Sequence, residues 1–299
     1  MKILIVGLPL FAERLQKELT AFDTANSYYQ LNTYYSRKDK LKAFFMMPFM
    51  DVVFSINGTT SKSGVIDLAL FFKKRVQFNW VGTDVLKALA NKNRNEKYIS
   101  DVEHYCEVEW IQEELKPIGI NAKLMNFVAF ERAFDIPVLA KDQLNVLSYI
   151  SDKRADFYGI NEFLTLAKHF PSVNFYIAGT KAENYSPLPP NVQALGWVEN
   201  MNELFDKVHV TLRFPEHDGL SSFILESLAR GKQVIYKYPF NHCLSCESLD
   251  EMIETIEKIK SDFDNGKDLV NIEAKQFINE HFSKEKIFGD LIENWKKKR

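Results

Sequence analysis

The sequence is short of cysteine and of long apolar segments. No apolar run reaches the roughly 18 residues that a membrane-crossing helix needs. The three cysteines, Cys106, Cys243 and Cys246, are too few for a disulfide framework and predict a reducing, cytoplasmic location. The start, MKILIVGLPLF, is followed by no small-residue cleavage site before Glu13, which favours a first β-strand over a signal peptide.

Motifs of several function classes are also missing. The loop after the first predicted strand, GLPLF, lacks the Gly-x-Gly-x-x-Gly spacing of dinucleotide sites. Its Gly7 instead predicts a loop that approaches a substrate closely. NHCLSC (241–246) pairs two cysteines with a histidine, but the third cysteine lies far upstream, so a four-ligand zinc site is disfavoured. No nucleic-acid-binding module is recognisable, and we predict no cofactor, no metal and no nucleic-acid partner.

The composition that remains is that of a folded, two-domain protein. The 299 residues are 46% apolar and 26% charged, and about 150 residues per domain predicts two domains. Net charge is only −2, but residues 1–100 hold 15 Lys and Arg against 8 Asp and Glu, a charge of +7. A basic first third fits either an anionic partner or nothing more than solubility.

Apolar segments alternate with helical periodicity in the first half. Strands are predicted at 2–6, 51–56, 75–80, 104–108 and 122–127, with helices near 10–22, 62–73 and 109–118. Apolar strands that alternate with helices are typical of a parallel sheet covered on both faces. The first half is therefore predicted to be a doubly wound α/β domain.

The same alternation restarts after a proline-containing linker at 134–143. Strands are predicted at 144–150, 173–179, 208–213 and 232–237, with helices near 160–169, 199–206, 219–230 and 247–261. Ile287, Leu291 and Trp295 recur at i, i+4 and i+8, which predicts one amphipathic helix over 283–299. The predicted architecture is two Rossmann-like domains, 1–139 and 140–281, facing a central cleft, with a C-terminal helix at 282–299 that can pack back on the first domain.

The stretch EHDGLSSFILE (216–226) places acids, a glycine and serines directly before a helical pattern. At 100° per residue, Leu220, Phe223, Ile224, Ser227 and Leu228 share one arc, and Ser222, Glu226 and Ala229 share another. Asp218 stands at the predicted N-cap, and the backbone N–H groups of 219–222 are expected to be unpaired. Such a helix start favours an anion, phosphate above all. The alternative is a plain N-cap at Asp218 and a solvated Glu226.

The sequence around this stretch resembles a known family. FPEHDGLSSFILESLARGKQVI (214–235) resembles the donor-site signature of retaining GT-B glycosyltransferases, especially glycosyltransferase family 4. FPSVNFYIAGT (170–180) and LPPNVQALGWVENMNELFDKVHV (188–210) are similar to the strand, the base-contacting loop and the short helix of that family. The resemblance covers most of 144–236 and only loosely 1–140.

The resemblance implies a role for each matching residue. Glu226 would accept hydrogen bonds from the ribose, and Asp218 would contact the donor sugar. The backbone of Gly219, Leu220, Ser221 and Ser222 would hold the β-phosphate, and Gly196, Trp197 and Val198 would line the base pocket. Lys153 and Arg154 would neutralise the diphosphate, with Asp218 and these two basic residues as the catalytic set.

Three positions depart from the family pattern. The first acid is Asp218 rather than Glu, Tyr158 replaces the usual lysine before Gly159, and Val81 replaces a histidine before a Gly-Thr-Asp turn. The sequence predicts a hexosyltransferase of polysaccharide biosynthesis that uses a nucleotide diphosphate sugar and a glycan or lipid-linked hydroxyl acceptor, with retention. The alternatives are a non-catalytic sugar-nucleotide-binding protein on a GT-B fold and a phosphorylase or epimerase of that shape.

The segment SRKDKLKAFFMMPFM (36–50) combines basic residues with a dense apolar block. One interpretation is a basic surface helix that runs into the core. The other is a peripheral contact with the inner face of a membrane or with a lipid phosphate, helped by the basic runs at 73–75 and 296–299. The sequence leaves both open.

Overall fold

The computed structural model describes residues 1–131 and 134–297. Lys298 and Arg299, which end the predicted C-terminal helix and its basic run, lie outside the described residues. The chain divides into two compact units. The first unit comprises Met1–Ala129, Asp218–Leu220 and the segment from Lys284 onward, and the second comprises Phe130–His217 and Ser221–Ser283.

Strands and helices alternate along the chain. The strands are β1 Lys2–Gly7, β2 Ser27–Gln30, β3 Val52–Ile56, β4 Arg75–Trp80, β5 Glu103–Cys106, β6 Lys123–Leu124, β7 Asn145–Tyr149, β8 Asn174–Ala178, β9 Val192–Ala194, β10 Val210–Arg213, β11 Gln233–Tyr236 and β12 Leu244–Ser245. The helices are α1 Pro9–Phe22, α2 Arg37–Met46, α3 Gly64–Phe71, α4 Thr83–Ala90, α5 Glu96–Ser100, α6 Glu109–Leu115, α7 Ile160–His169, α8 Met201–Phe205, α9 Ser222–Ala229, α10 Leu249–Asp264, α11 Ile272–His281 and α12 Lys284–Lys296.

The first unit is built on a parallel sheet with the strand order β2-β1-β3-β4-β5-β6. The chain leaves β1 for β2 on one side and then crosses to β3 on the other. The carboxyl ends of β1 and β3 therefore form the switch point where doubly wound sheets bind ligands. Gly7 at the end of β1 has φ 104°, and a Cβ there would lie 2.2 Å from the Ile56 carbonyl oxygen, so only glycine lets these strand ends approach.

The second unit is built on a parallel sheet with the strand order β12-β11-β10-β7-β8-β9. Its switch point lies between the carboxyl ends of β7 and β10, because the chain runs from β7 through β9 in one direction and then returns to β10. Helices α7 and α10 cover one face, and the rings of Phe163 and Phe175 meet edge to face at 5.3 Å within that core.

Helix α12 belongs to the first unit and is held there by polar contacts as well as by packing. Ile287, Leu291 and Trp295 are buried, which confirms the predicted amphipathic helix. The Trp295 indole N–H donates to the Gln77 side-chain oxygen at 2.9 Å. Arg75 donates from Nη1 to the Asn294 carbonyl at 2.7 Å. Such a donor satisfies a carbonyl that the helix C-terminus leaves unpaired.

The α/β prediction with two parallel sheets is confirmed, and several element bounds differ. The predicted strand 122–127 is only Lys123–Leu124, because β6 pairs on one side alone and edge strands are short. The predicted helix 219–230 begins at Ser222. The elements without a sequence prediction are mostly short ones, namely β2, β9, β12, α4, α5 and α11.

Candidate functional site

The loops that follow β7 and β10 are joined at the switch point of the second unit. The Glu216 N–H donates to the Phe157 carbonyl at 2.8 Å. Gly159 has φ 79°, and a Cβ there would lie 2.4 Å from the Phe214 carbonyl oxygen. Glycine at 159 is therefore required by the close approach of the two loops, and any ligand at this switch point meets a fixed backbone.

Helix α9 starts at this edge of the sheet, later than the sequence suggests. Its N-cap is Ser221, whose side chain makes no capping hydrogen bond. The prediction of Asp218 as N-cap is therefore wrong, since Asp218 lies three positions before the cap. The N–H groups of Ser222 and Phe223 donate to no described residue. Unpaired N–H groups at the start of a helix attract an anion, so the anion site that the sequence predicts at this helix stays a prediction.

Glu226 lies one helical turn after Ser222, about 6 Å along the axis. It is the only residue from 223 to 229 that is not buried, which agrees with its expected position off the core arc. Ala229, expected on the same arc, is fully buried, because the second unit covers α9 on more than one side. Burial lowers the pKa of Arg230, and the charge of Glu226 opposes this shift only in part.

Basic groups surround the same switch point. Lys153 and Arg154 form a 3₁₀ turn directly after β7 and are exposed. The Arg154 guanidinium lies over the Phe157 ring, 3.7 Å from its centroid. Arg213, at the end of β10, is buried and lies over the Tyr158 ring at 5.2 Å. Sequence reasoning missed Arg213, although a charged residue at the end of the apolar strand VTLR was a visible signal.

The predicted base-contacting residues follow β9 at the same edge of the sheet. Gly196 has φ 65°, and its carbonyl accepts a hydrogen bond from the Gly179 N–H at 2.6 Å. Its own N–H donates to the Thr180 carbonyl at 2.9 Å. These bonds hold the loop against the end of β8. Trp197 projects from it with 76% of its surface exposed and Val198 is half-buried, so an indole face is available for stacking.

Asp218, Gly219 and Leu220 pack with residues of the first unit. The Trp110 indole N–H donates to the Asp218 carbonyl at 2.9 Å. A Cβ on Gly219 would lie 2.3 Å from the Val81 carbonyl oxygen, so a glycine is needed beside that turn. Leu220 is buried, as predicted from its place on the apolar arc, but it lies in an irregular segment before α9 begins. Close backbone packing, rather than helix geometry, thus sets the position of Asp218.

Two buried carboxyl groups of the first unit lie near Asp218. Asp84 accepts hydrogen bonds from the Gly58 N–H at 2.6 Å and the Val81 N–H at 3.1 Å. Burial raises its pKa to about 6 even though these bonds oppose the shift. Burial also raises the pKa of Glu107 well above its usual value, and Asp84 and Asp218 add to that increase. We interpret Asp84 as a structural link between the loops after β3 and β4, because backbone groups occupy both of its oxygens.

Gly7 borders a cavity of the first unit. The cavity measures about 580 Å³ and lies at the carboxyl ends of β1 and β3. The sequence predicted Gly7 as a substrate contact but gave no sign of the cavity, because its walls come from segments far apart in the chain.

Two further features concern metals and membranes. No group of three His, Cys, Asp or Glu side chains placed to hold a metal ion occurs in the described ranges. Burial raises the pKa of the Cys243 thiol to about 12. Among residues 1–131 and 134–297, no helix is both long and apolar enough to span a bilayer.

Known proteins resemble this chain in structure but not in sequence. No protein-family model and no curated protein matches the sequence. The structure is similar to a glycosyltransferase from Rickettsia africae ESF-5, with a TM-score of 0.70, 12% identity, and coverage of 99% of this chain and 97% of that chain. It is also similar to sucrose-phosphate synthase from Thermosynechococcus elongatus, with a TM-score of 0.67, 13% identity and 98% coverage of each chain.

A third similar structure belongs to a different class of enzyme. It is the UDP-GlcNAc 2-epimerase from Neisseria meningitidis bound to UDP-GlcNAc, with a TM-score of 0.54, 14% identity, and coverage of 98% of this chain and 99% of that chain. At these identities the likeness establishes the fold. The chain has the GT-B fold, as predicted, with its two parallel six-stranded sheets.

Proposed function

We propose that the protein is a glycosyltransferase that moves a hexose-type sugar from a nucleotide diphosphate sugar to a hydroxyl acceptor, a glycan or a lipid-linked molecule. The observation that carries the proposal is the start of α9. Its unpaired N–H groups at Ser222 and Phe223 lie at the β7/β10 switch point, where the loops also carry Lys153, Arg154 and Arg213. A diphosphate needs both hydrogen-bond donors and positive charge.

The sequence resemblance supplies the remaining roles of the donor site. Glu226 accepts hydrogen bonds from the ribose hydroxyls, one turn beyond the phosphate donors. Trp197 stacks on the base, with Gly196 and Val198 beside it. Asp218 contacts hydroxyls of the donor sugar. Ser221 and the chain at Gly219 and Leu220 complete the turn around the β-phosphate.

The chemistry follows from charge development on the diphosphate. The bond between the anomeric carbon and the phosphate oxygen breaks, and its electron pair passes to the diphosphate. The acceptor oxygen then bonds to the anomeric carbon, and its proton passes to the departing phosphate oxygen on the same face, which gives retention. The N–H groups of α9 and the basic side chains stabilise the charge that develops, and no metal is required.

We propose further that the protein is cytoplasmic and contacts the inner membrane face through α2. Leu41, Phe44 and Phe45 of this helix and Phe49 after it are all more than half exposed. Arg37, Lys38 and Lys40 lie on the same segment and make no ion pair within the described ranges. Exposed apolar side chains among cations match an anionic lipid surface.

Two other functions have specific support. One alternative is an epimerase, because the structural similarity to the epimerase extends over nearly the full length of both chains. An epimerase needs no hydroxyl acceptor. The departures at Val81, Tyr158 and Asp218 support a non-catalytic protein that only binds the sugar nucleotide. The three functions differ in what they do to a nucleotide sugar, which makes them separable.

Turnover of nucleotide sugars tests the proposal. The protein is incubated with UDP-, GDP- and ADP-sugars, with and without a panel of hydroxyl acceptors, and the release of nucleoside diphosphate is measured. We expect acceptor-dependent release that Glu226→Ala lowers at least about tenfold, because hydrogen bonds from the ribose to a charged carboxylate contribute about 1.5 kcal/mol or more. Glu254→Ala, an exposed acid on α10, is the matched control and should leave the rate unchanged.

The rival functions give different results in the same assay. Conversion of the donor sugar without any acceptor would indicate an epimerase. Nucleotide binding with no release under any condition would indicate a non-catalytic protein. Either result would contradict the transferase proposal.

A further inference from the structure

The cavity at the switch point of the first unit has the size of a ligand site. Its volume of about 580 Å³ falls in the range of about 300–1,000 Å³ that is common for small-molecule sites. One side is formed by α2 and another by the start of α3, with Gly7 and Ser55 at the strand ends. Parallel sheets bind ligands at such a position, and the proposed donor site uses none of the residues that line this cavity.

The charges on the cavity wall have one sign. No lining residue is an Asp or a Glu, and two are lysines, Lys40 of α2 and Lys62 before α3. Neither ammonium group forms a hydrogen bond or an ion pair with a residue in the described ranges. Two cations facing a cavity without a counter-charge favour an anionic ligand.

The start of α3 adds hydrogen-bond donors to the same wall. Gly64, Val65 and Ile66 line the cavity, and their N–H groups donate to no described residue. Ser63, the N-cap, makes no side-chain capping bond. Unpaired N–H groups and the helix dipole add to the attraction of the lysines for an anion, phosphate in particular.

An apolar surface begins at the edge of this basic wall. Phe44 lies four residues after Lys40 on α2, so both side chains occupy the same helix face, and both line the cavity. The ring of Phe45 packs edge to face on Phe44 at 5.6 Å. Phe45 and Phe49 extend this surface and are 65% and 68% exposed. A ligand with an anionic head and an apolar tail matches both parts.

We propose that this cavity binds the phosphate group of a phosphorylated amphiphile, with Lys40, Lys62 and the start of α3 around the phosphate and Phe44 under the alkyl chain. We propose this amphiphile, a lipid phosphate, as the acceptor of the transferase. Its role as acceptor rests on the proposed function. Binding of the amphiphile alone requires neither donor nor turnover, so it can be tested separately.

Isothermal titration calorimetry with octyl phosphate below its micelle concentration tests the inference. Inorganic phosphate and octyl glucoside are titrated in parallel, since each carries only one part of the ligand. We expect octyl phosphate to bind more tightly than either. Lys40→Gln and Lys62→Gln should each weaken it about fivefold, the effect of an exposed charge pair. Lys87→Gln, at an exposed lysine of α4 outside the cavity wall, should leave it unchanged.

A second variant separates the tail from the head. Phe44→Ser should weaken octyl phosphate about fivefold through lost apolar contact and leave inorganic phosphate unaffected. The inference is overturned if octyl phosphate binds no better than octyl glucoside, or if the lysine variants bind it as the wild type does. Equal binding of inorganic phosphate and octyl phosphate would overturn the lipid part, because the ligand would then be a free phosphate. Failure of nucleotides to bind would contradict the proposed donor site and leave this result standing.

Discussion

Arg213 places a positive charge beside Tyr158, an uncharged residue. The guanidinium lies over the Tyr158 ring at 5.2 Å, at the position where the family that the sequence resembles has a lysine. Its burial makes it a fixed charge at the switch point, unlike the exposed Lys153 and Arg154. We infer that Arg213 neutralises the diphosphate in place of the missing lysine.

Arg213→Gln should therefore weaken nucleoside diphosphate binding about tenfold, the typical effect of losing a charge-assisted hydrogen bond. Affinity for the matching nucleoside, which has no phosphate, should not change. Adding Tyr158→Lys should restore part of the lost affinity, because it returns a cation to the site. Equal losses for nucleoside and nucleoside diphosphate, measured by calorimetry, would show that Arg213 supports only the fold.

At the residue scale the sequence predicted some positions and missed others for physical reasons. The periodicity of the helix placed Glu226 off the core correctly, because helix geometry is local. The same reasoning misplaced Asp218, because the helix start is delayed by close packing of Gly219 against the Val81 carbonyl. Arg213 was missed because its importance depends on a ring 55 residues earlier in the chain.

Helix α12 depends on an ion pair whose strength varies with pH. Arg75 donates to both Glu103 oxygens, at 2.6 and 2.7 Å, and also to carbonyls at the end of α12. Burial alone would raise the pKa of Glu103, but the bonds from Arg75, Gln77 and Tyr105 outweigh it and lower the pKa to about 2. The carboxylate therefore stabilises the folded state above pH 4.5, and this contribution is lost as the pH falls from 4.5 to 2.

Glu103→Gln should lower the free energy of unfolding by about 2 kcal/mol at neutral pH, allowing for partial exposure of the pair. Urea titrations at pH 7 and pH 3 measure the effect. The difference between wild type and variant should shrink to less than half at pH 3. Glu113→Gln, in an exposed pair with Lys116, is the control and should cost little at either pH. A pH-independent difference would contradict the assigned role of the ion pair.

Helix α2 is expected to bind anionic membranes through its exposed apolar side chains. Sedimentation with phosphatidylglycerol-containing vesicles at low salt should carry the protein down, and high salt should release it by screening the basic residues. The double variant Phe45→Ser, Phe49→Ser should bind about tenfold more weakly, from the loss of buried apolar area. Leu10→Ser, an equally exposed change on α1, should have no effect, and absence of binding to any vesicle would rule out the contact.

At the element scale the sequence predicted long, periodic segments best. The apolar strands β1, β3 and β7 and the helices α1 and α12 follow their patterns closely. Short elements such as β12 and α5 carry too few residues for a period to be visible. The sequence of the segment at 36–50 left two interpretations open, because its periodicity does not show whether the apolar side chains are buried or exposed. In the structure the segment contains a helix whose apolar side chains are largely exposed.

For the whole molecule, alternation of strands and helices was enough to predict two parallel sheets, because parallel strands require crossover helices. The cavity of the first unit could not be predicted, since it joins α2, α3 and two strand ends. The chain shares the GT-B fold with transferases and an epimerase. Fold alone therefore does not fix the reaction, and the donor site must be tested directly.

Nucleotide binding by the whole protein tests the central claim most directly. Thermal unfolding is followed with UDP, GDP, ADP and their sugar conjugates, each well above its expected dissociation constant. A ligand at about 100 times that constant adds about 2.7 kcal/mol, so at least one nucleotide should raise the Tm of the wild type clearly and that of Glu226→Ala less. If no nucleotide raises the Tm, the second unit holds no donor site and the account is contradicted.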